Sequence, residues 1–328
     1  MEFTRRGLLA VTAGFASIRA ASAQPRQELM IGLSSTSFGT AGARLAKELG
    51  LFANHGLDAR FVVMDSGNAA TTAIISGSLN VVLSGPGELV VAQARGQKVV
   101  NVANTFGGAS ASLVLDKDVA AKSGVSPNGA VGDRLKALDG LVLASTTATS
   151  SSTVSYNGAA KAAGANIRFV YMAQPAMAAA LERGAIQGYV AGAPFWAVPV
   201  VKGKGVLWIS GPKGDLPPEH TPASAGNMQM MRSFAEANPE LVQKLVSVFA
   251  ELAKFIDDHP EEARAGLARV YPELDAETTT LLFDSEKSGW KARPLTPSDI
   301  RKEIAFVKAS GNSLPQIDHI DPASMLFP

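Results

Sequence analysis

The sequence contains no cysteine in its 328 residues. Structural disulfides are therefore excluded, and so are a thiol nucleophile and metal sites of the CxxC type. A lipid anchor attached to an N-terminal cysteine is excluded for the same reason. Any binding or chemistry must use other side chains and the backbone.

Charged residues are scarce, at 18% of the chain, and they balance to a formal net charge of +1. Lysine and arginine form no block longer than a pair, which argues against a nucleic-acid partner. The apolar fraction of 46% is sufficient for a sizeable core. Because the length exceeds that of a usual single domain, we expect a globular protein of two lobes.

The N-terminus lacks a hydrophobic run long enough to cross a membrane. Its apolar stretch, residues 7–18, spans 12 residues, whereas a transmembrane helix needs roughly 20. The stretch follows the pair Arg5-Arg6 and ends near Ala21-Ser22-Ala23, a small-x-small cleavage site. We therefore expect residues 1–23 to be an export signal, either twin-arginine or ordinary Sec, and the mature protein to be periplasmic.

One segment of the sequence occurs twice. ARFVVMDSGNAATTAIISGSLNVVLSGPG, from Ala59, corresponds to IRFVYMAQPAMAAALERGAIQGYVAGAP, from Ile167, at an offset of 108 residues. Each copy predicts a β-branched strand, a turn and a short alanine-rich helix, followed by a second strand. Gly77 and Gly184 stand where a glycine C-cap would end each helix.

The repeat extends upstream, where apolar strands from Leu29 and from Leu141 each run into a hydroxyl-rich turn. Its unit is far longer than the roughly 20 to 50 residues of a solenoid repeat, so that it duplicates a lobe. The alternation of strands and helices predicts the α/β class, with two doubly wound lobes whose largely parallel sheets are covered by helices.

Small polar residues follow many of the predicted strands. Ligands of doubly wound lobes bind at the carboxyl ends of the strands, where helix N-termini present free backbone amides. The same residue types also cap helices and form turns where no ligand binds. Taken together across one interlobe cleft, we interpret them as a ligand site. The candidate ligand-binding residues are Ser35, Thr36, Phe38, Gly67, Asn68, Ser84, Gly85, Thr105, Thr147, Ser150, Ser151, Gln174, Pro194 and Trp196.

The candidate turns contain no basic residue. An acid group of the ligand would then be held by backbone amides and hydroxyls at helix N-termini. Four aromatic residues adjoin these turns: Phe38, Phe106, Phe195 and Trp196. They either pack against an apolar part of the ligand or belong to the lobe cores. We expect a small organic anion, such as a sulfonate or a carboxylate, and alternatively a neutral heteroaromatic such as a pyrimidine.

The sequence offers no catalytic or metal-binding constellation. The histidines, His55, His220, His259 and His319, stand far apart without a second ligand at metal spacing. A GxSxG elbow, a phosphate loop and a dinucleotide fingerprint are absent too. We expect a protein that is not an enzyme and needs no cofactor or metal; a secreted enzyme that uses the same cleft is the alternative.

The run AGARLAKELGLFANHG over residues 41–56, followed by a strand, resembles ABC-transporter solute-binding proteins of the nitrate, sulfonate and taurine group. That group includes relatives for thiamine-precursor pyrimidines. Residues 73–82 and 179–190, the turn at Pro194 and the helix opening at Asn238 also fit it. The resemblance implies a type II periplasmic binding fold, in which two lobes joined by two crossovers close on a solute.

This architecture implies a first lobe of residues 28–112 plus 222–328 and a second lobe of residues 113–221. Crossovers would fall near residues 109–116 and 210–225, and carboxyl-terminal helices would pack on the first lobe. One of these helices carries an apolar stripe at helical spacing: Leu241, Leu245, Phe249, Leu252 and Ile256. The implied partners are a small-molecule ligand and an inner-membrane ABC permease, and we expect a monomer. A ligand carrier for a sensor domain, without a permease, is a further alternative.

Overall fold

The computed structural model describes residues 26–64, 66–148, 150–309, 314 and 316–328. The predicted export signal, residues 1–23, lies outside the described residues. Two five-stranded sheets form, each with helices packed around it. The predicted α/β class with two lobes is therefore confirmed. No helix within the described ranges is both long enough and apolar enough to cross a bilayer.

The strands are β1 (Gln27–Leu33), β2 (Leu57–Val63), β3 (Val81–Ser84), β4 (Val99–Gly107), β5 (Ala111–Asp116), β6 (Val142–Ser145), β7 (Arg168–Tyr171), β8 (Gly188–Gly192), β9 (Gly205–Ser210) and β10 (Ser224–Met231). The first sheet has the order β2-β1-β3-β10-β4, and the second has the order β7-β6-β8-β5-β9.

The helices are α1 (Ala41–Glu48), α2 (Leu51–Asn54), α3 (Gly67–Ile75), α4 (Pro86–Ala94), α5 (Lys117–Lys122), α6 (Val131–Lys136), α7 (Ser151–Ala162), α8 (Gln174–Glu182), α9 (Ala197–Val201), α10 (Arg232–Ala237), α11 (Pro239–Asp258), α12 (Pro260–Val270), α13 (Ala276–Glu286) and α14 (Pro297–Ala309). Several begin at proline, whose missing N–H costs nothing in the first turn of a helix.

The sequence repeat is a structural repeat. β2, α3 and β3 of the first copy correspond to β7, α8 and β8 of the second, and Gly77 and Gly184 follow the helices with positive φ angles of 74° and 69°. Glycine adopts this left-handed conformation without the steric cost that a Cβ would add. The two sheets are therefore built in the same strand order.

Each sheet is largely parallel but contains one antiparallel strand that the sequence did not predict. In the first sheet β10 runs antiparallel to β3 and β4, and in the second β5 runs antiparallel to β8 and β9. Both are the strands that the chain enters directly after it passes from one sheet to the other. The first passage is short, residues 108–110, because residues 111–116 already form β5; the second comprises residues 211–223.

The carboxyl-terminal helices do more than cover the first lobe. α11 and α12 pack against α1, and the predicted stripe of α11 is buried. α13, however, also contacts α9, and α14 also contacts α7, so that both bridge to the second lobe. The main hydrophobic cluster accordingly includes Phe38 and Trp290 together with Met177 and Trp196 of the second lobe.

Candidate functional site

Two adjoining cavities lie between the lobes. The first, which we call the hydroxyl pocket, has a volume of about 110 Å³, and the second, the carboxylate pocket, has a volume of about 280 Å³. Ser151 and Ala225 line both of them. The cavities are therefore two halves of one interlobe cleft.

The hydroxyl pocket is polar but has no charged residue in its lining. Its polar side chains come from both lobes and are those of Ser37, Ser110, Thr146, Ser151, Ser152, Ser155, Tyr156 and Gln174. Such a lining supplies hydrogen-bond donors and acceptors without a fixed charge. It suits a solute that is held by many neutral contacts.

The N-terminus of α7 opens onto this pocket. Ser150 is the N-cap, and its Oγ accepts a hydrogen bond from Thr153 N at 3.2 Å. The Oγ1 of Thr153, which is 3% exposed, donates to Thr147 O at 2.7 Å and is hydrogen-bonded to Ser145 Oγ at 2.6 Å. Because the first amides of a helix have no partner within the helix, those of Ser151 and Ser152 remain for a solute, and the helix dipole makes this end favourable for negative charge.

Ser155 lies one turn further along the same face of α7. Its side chain is 1% exposed, lines the hydroxyl pocket, and its Oγ has no hydrogen-bond partner among the described residues. A buried hydroxyl without a partner is uncommon and costs free energy. A solute that reached Ser155 would supply the missing partner.

Two further polar groups are oriented by the backbone around them. Gln174 Oε1 accepts from Gly192 N at 2.8 Å, which leaves its Nε2 group as a donor toward the pocket. Tyr156 donates its hydroxyl proton to Ala111 O at 2.8 Å. Burial, with a smaller contribution from Asp215, raises the pKa of Tyr156, so that this hydroxyl stays protonated.

The carboxylate pocket differs in charge. Glu88, the third residue of α4, lines it together with Glu303 and Arg95. Burial raises the pKa of Glu88, and a hydrogen bond from its own backbone N–H opposes this shift. Burial likewise raises the pKa of Glu303 to about 7, against the N–H groups of Ala223 and Ser224 that hydrogen-bond to its carboxylate.

Behind the cleft the lobes touch through buried groups. Phe38 N donates to Ala193 O at 3.0 Å, and Trp290 Nε1 donates to Phe38 O at 3.2 Å. Trp196 Nε1 donates to Glu286 Oε1 at 3.1 Å, with both side chains fully buried. Burial raises the pKa of Glu286 to about 8, although the Trp196 hydrogen bond lowers it in part.

The structure brings some of the candidate residues together in the cleft. Ser151 and Gln174 line the hydroxyl pocket, and Asn68, Gly85, Ser150 and Ser151 line the carboxylate pocket.

The remaining candidates lie elsewhere. Phe38 and Trp196 belong to the hydrophobic core, which is the alternative that the sequence left open for its aromatic residues, and Phe106 is buried with them. Ser84 and Thr105 are buried within the first sheet, and Gly67 packs under Glu88. Ser35, Thr36, Thr147 and Pro194 lie in turns but line neither cavity.

Several lining residues were not among the candidates. Ser37 and Ser152 lie next to candidate residues, in turns whose positions were predicted correctly, but they were not themselves candidates. Ser155 and Tyr156 could have been predicted from the sequence, because they lie four positions after Ser151 and Ser152, and residues four apart on a helix face the same side. Glu88 could not have been predicted, since its sequence position is that of an ordinary acidic residue in the first turn of a helix.

The described residues contain no group of three or more histidine, aspartate or glutamate side chains that could hold a metal ion. His55 pairs with Glu251, and the ring of His259 contacts that of Phe255 at a tilted angle.

The paired lobes and the polar cleft between them define the fold of periplasmic binding proteins. The aliphatic sulphonate binding protein SsuA of Escherichia coli superimposes with a TM-score of 0.68 at 18% identity, over 91% of this chain and 97% of that one. The alkanesulfonate-binding protein SsuA of Xanthomonas axonopodis pv. citri, solved with bound MOPS, gives 0.66 at 17% identity over 92% and 98%. The nitrate-binding protein NrtA of Synechocystis PCC 6803 gives 0.62 at 13% identity over 92% and 86%.

The sequence profile of the NMT1-like family matches residues 22–271, which is most of the chain. This protein therefore belongs to the NMT1-like family. Among curated proteins, none matches the sequence. The resemblance to the sulfonate and nitrate group of solute-binding proteins, predicted from the sequence, is confirmed by the family and by the fold.

Proposed function

We propose that this protein is the solute-binding component of an ABC import system of the sulfonate and nitrate type, and that its solute is a small organic acid held in the hydroxyl pocket. It captures the solute by interlobe closure and releases it unchanged to a permease in the inner membrane. Family membership supports the transport role, and the cleft supports the choice of solute.

The choice of solute depends on the buried Oγ of Ser155, which lies beside the N-terminus of α7 and has no hydrogen-bond partner within the described ranges. A carboxylate or sulfonate at that position accepts hydrogen bonds from the amides of Ser151 and Ser152 and from the Ser155 hydroxyl. Hydrogen bonds to a charged acceptor are stronger than neutral ones, and the helix dipole adds to them. No arginine or lysine is required.

Closure of the lobes on the solute is supported by the fact that residues of both lobes line the hydroxyl pocket. Ser37 and Ala225 belong to the first lobe, whereas Ser151, Ser155 and Gln174 belong to the second. An open form would offer a solute only part of these contacts, so that the solute shifts the equilibrium toward the closed form.

The proposal includes export through the signal at residues 1–23, a periplasmic location and a monomeric protein without enzymatic activity. It also includes the lobe limits of residues 28–112 plus 222–328 and residues 113–221. The strand membership of the two sheets supports this division.

A neutral heteroaromatic such as a pyrimidine is the second candidate. The absence of any charged side chain from the lining of the hydroxyl pocket favours it. Gln174 and the serines could pair with ring nitrogens and amino groups as readily as with an acid.

A thermal-shift screen followed by calorimetry tests the proposal, with short-chain alkane sulfonates and carboxylates, nitrate and pyrimidines as probes. A solute at a hundredfold excess over its Kd stabilises the folded form by about 2.7 kcal/mol. We expect an alkane acid to give the largest shift. A pyrimidine as the best hit would favour the second candidate, and turnover of any probe would overturn the transport role.

A matched pair of variants locates the site. Ser155→Ala removes the hydroxyl that the acid is proposed to use, and we expect affinity to fall about tenfold. Ser112→Ala is the control, because Ser112 is also buried without a partner for its Oγ but lines neither cavity. Equal affinities in the two variants would show that the solute binds elsewhere.

A further inference from the structure

The first-lobe side of the cleft places a carboxylate at two helix N-termini. Glu88 lines the carboxylate pocket, and its side chain lies against Gly67, the first residue of α3, and Gly85, the N-cap of α4. A Cβ at Gly85 would lie 2.7 Å from Glu88 Oε2, and a Cβ at Gly67 would overlap the carboxylate even more closely. A side chain at either position would therefore require the Glu88 carboxylate to move from its place.

The turn that carries Glu88 is held from behind. Gln229 Nε2 donates to Gly85 O at 2.8 Å, and the same Nε2 donates to Asn227 Oδ1 at 2.8 Å. Both amide side chains are fully buried in the first sheet. The backbone beneath the carboxylate is therefore anchored to the sheet, and the position of Glu88 is a built feature of the cleft.

We propose that Glu88 is a specificity-determining residue that binds a basic nitrogen of the solute, so that the solute is an amino-substituted acid. This inference rests on the proposed function, because it assumes that the acid group of the solute lies at the N-terminus of α7. The two lobes then recognise opposite ends of one molecule.

The electrostatic environment of Glu88 favours a basic nitrogen in the solute. An acid group of a solute would otherwise be attracted to the N-termini of α3 and α4, as it is to that of α7. Glu88 occupies that region with the protein's own carboxyl group, whose ionised form repels a second acid group. Burial raises the pKa of Glu88, and a cationic nitrogen beside it would favour the ionised form again. A group that donates hydrogen bonds, and above all a cationic one, is the complement of Glu88.

The shape of the cleft suits a solute with a polar group at each end. The carboxylate pocket joins the hydroxyl pocket at Ser151 and Ala225. Val91, Val154 and Phe306 also line it, so that apolar surface is available to a hydrocarbon linker between the two polar ends of a solute.

The other charged residues of the carboxylate pocket are placed differently. Glu303 Oε1 accepts from Ala223 N at 2.8 Å, and this carboxyl group is 1% exposed. Arg95 is exposed at the far end of α4 from Glu88. Glu88 is thus the carboxylate of this pocket that a solute can reach without displacing a hydrogen bond to another element.

Calorimetry with matched probes tests the inference. Each probe pair consists of a short-chain alkane sulfonate or carboxylate with and without a terminal amino group. We expect the best amino-substituted probe to bind wild-type protein about tenfold more tightly than its plain partner. Glu88→Gln should abolish this preference while the affinity for the plain acid stays within about threefold, because a glutamine removes the charge and keeps the shape.

Glu262→Gln is the matched control, since Glu262 is also the third residue of a helix that begins at proline, but is exposed and lies outside the cleft. It should keep the full preference. Plain and amino-substituted acids that bind wild-type protein equally, or a preference that survives Glu88→Gln, would overturn this inference and leave the proposed function intact. Failure of every acid to bind would overturn the proposed function itself, and this inference with it.

Discussion

The turns that follow β1 and β6 occupy the same place in the two copies of the repeat, and both are rich in hydroxyl groups. The first turn is covered by the second lobe: Phe38 is fully buried, and its N–H donates to Ala193 O. The second turn remains open, and α7 behind it presents Ser151 and Ser155 to the hydroxyl pocket. The first copy is therefore mainly an interlobe contact that gives only Ser37 to the pocket, whereas the second copy forms a wall of the cleft.

The difference shows that duplication of a lobe does not duplicate a binding site. When two similar lobes face each other, one rim can hold the lobes together while the other meets the solute. Thr40 and Thr153 show this clearly: both are buried threonines whose Oγ1 bonds back to the preceding turn. Thr153 supports the start of α7, from which Ser151, Ser152 and Ser155 line the hydroxyl pocket, whereas Thr40 supports a turn from which only Ser37 does.

The largest expected effect is on the first turn. Phe38→Ala should lower the free energy of unfolding by about 3–5 kcal/mol, because it removes a fully buried ring that packs on Tyr271 and Trp290. Urea denaturation followed by circular dichroism measures this loss. Thr147→Ala, in the exposed part of the second turn, is the control and should change the free energy by less than about 0.5 kcal/mol. Equal losses would contradict the division of roles.

The pH dependence of stability tests the interlobe contact behind the first turn. Burial raises the pKa of Glu286 from 4.5 to about 8 and that of Glu303 from 4.5 to about 7. Between these values the folded state holds protons that the unfolded state has released. The free energy of unfolding should therefore fall as pH rises from 4.5 toward 8, by up to about 1.4 kcal/mol per pH unit for each group.

Denaturation curves at a series of pH values measure this slope. Glu286→Gln should make the slope shallower, since an amide can still accept from Trp196 Nε1 but does not titrate. Glu262→Gln, at an exposed position, should leave the slope unchanged. Stability that rises with pH across this window would show that the assigned pKa directions are wrong.

The two threonines provide the sharpest comparison. Thr40→Ala and Thr153→Ala should each cost about 1–3 kcal/mol of stability, because each removes a buried hydroxyl and leaves carbonyl acceptors without their donor. Thr153→Ala should also weaken the binding of alkane acids by about tenfold, because it loosens the N-terminus of α7. Thr40→Ala should weaken it by less than about threefold, because the turn that it supports gives only Ser37 to the pocket. Calorimetry of both variants checks this, and equal losses of affinity would show that the first turn holds the solute as strongly as the start of α7.

The smallest expected effect concerns the outer strands. Arg60 on β2 pairs with Glu28 at 2.9 Å on the surface, whereas Arg168, at the same place in the second copy, has no ion pair among the described residues. Arg60→Ala should cost less than about 1 kcal/mol relative to Arg168→Ala, because solvent screens exposed pairs. A larger difference in thermal midpoints would mean that the edge of the first sheet depends on this pair.

Much of the fold was predictable because it follows local rules. β-Branched runs, glycine C-caps and the apolar stripe of α11 each depend on residues that are close together in the sequence, and the repeat predicted that both lobes are built from the same units. The antiparallel strands β5 and β10 were not predicted, because their direction depends on how the chain passes between sheets. The bridging contacts of α13 and α14 were missed for a similar reason, since their partners are distant in sequence.

The candidate site was predicted in part. Asn68, Gly85, Ser150, Ser151 and Gln174 lie in the cleft because strand ends and helix starts were placed correctly. Phe38 and Trp196 do not, because an aromatic residue beside a polar turn packs into whichever apolar surface the opposite lobe provides. That surface is a property of the assembled lobes.

The amino-acid sequence by itself determined the duplicated α/β units, the turns at their strand ends and the neutral, hydroxyl-rich character of those turns, because each of these depends on interactions between near neighbours in the chain. Only the tertiary structure decided which of the two equivalent turns contributes more residues to the cleft and which is covered by the opposite lobe. It also decided that Glu88 lies at two helix N-termini and that Ser155 is buried without a partner, because burial and proximity arise when segments remote in sequence are packed together.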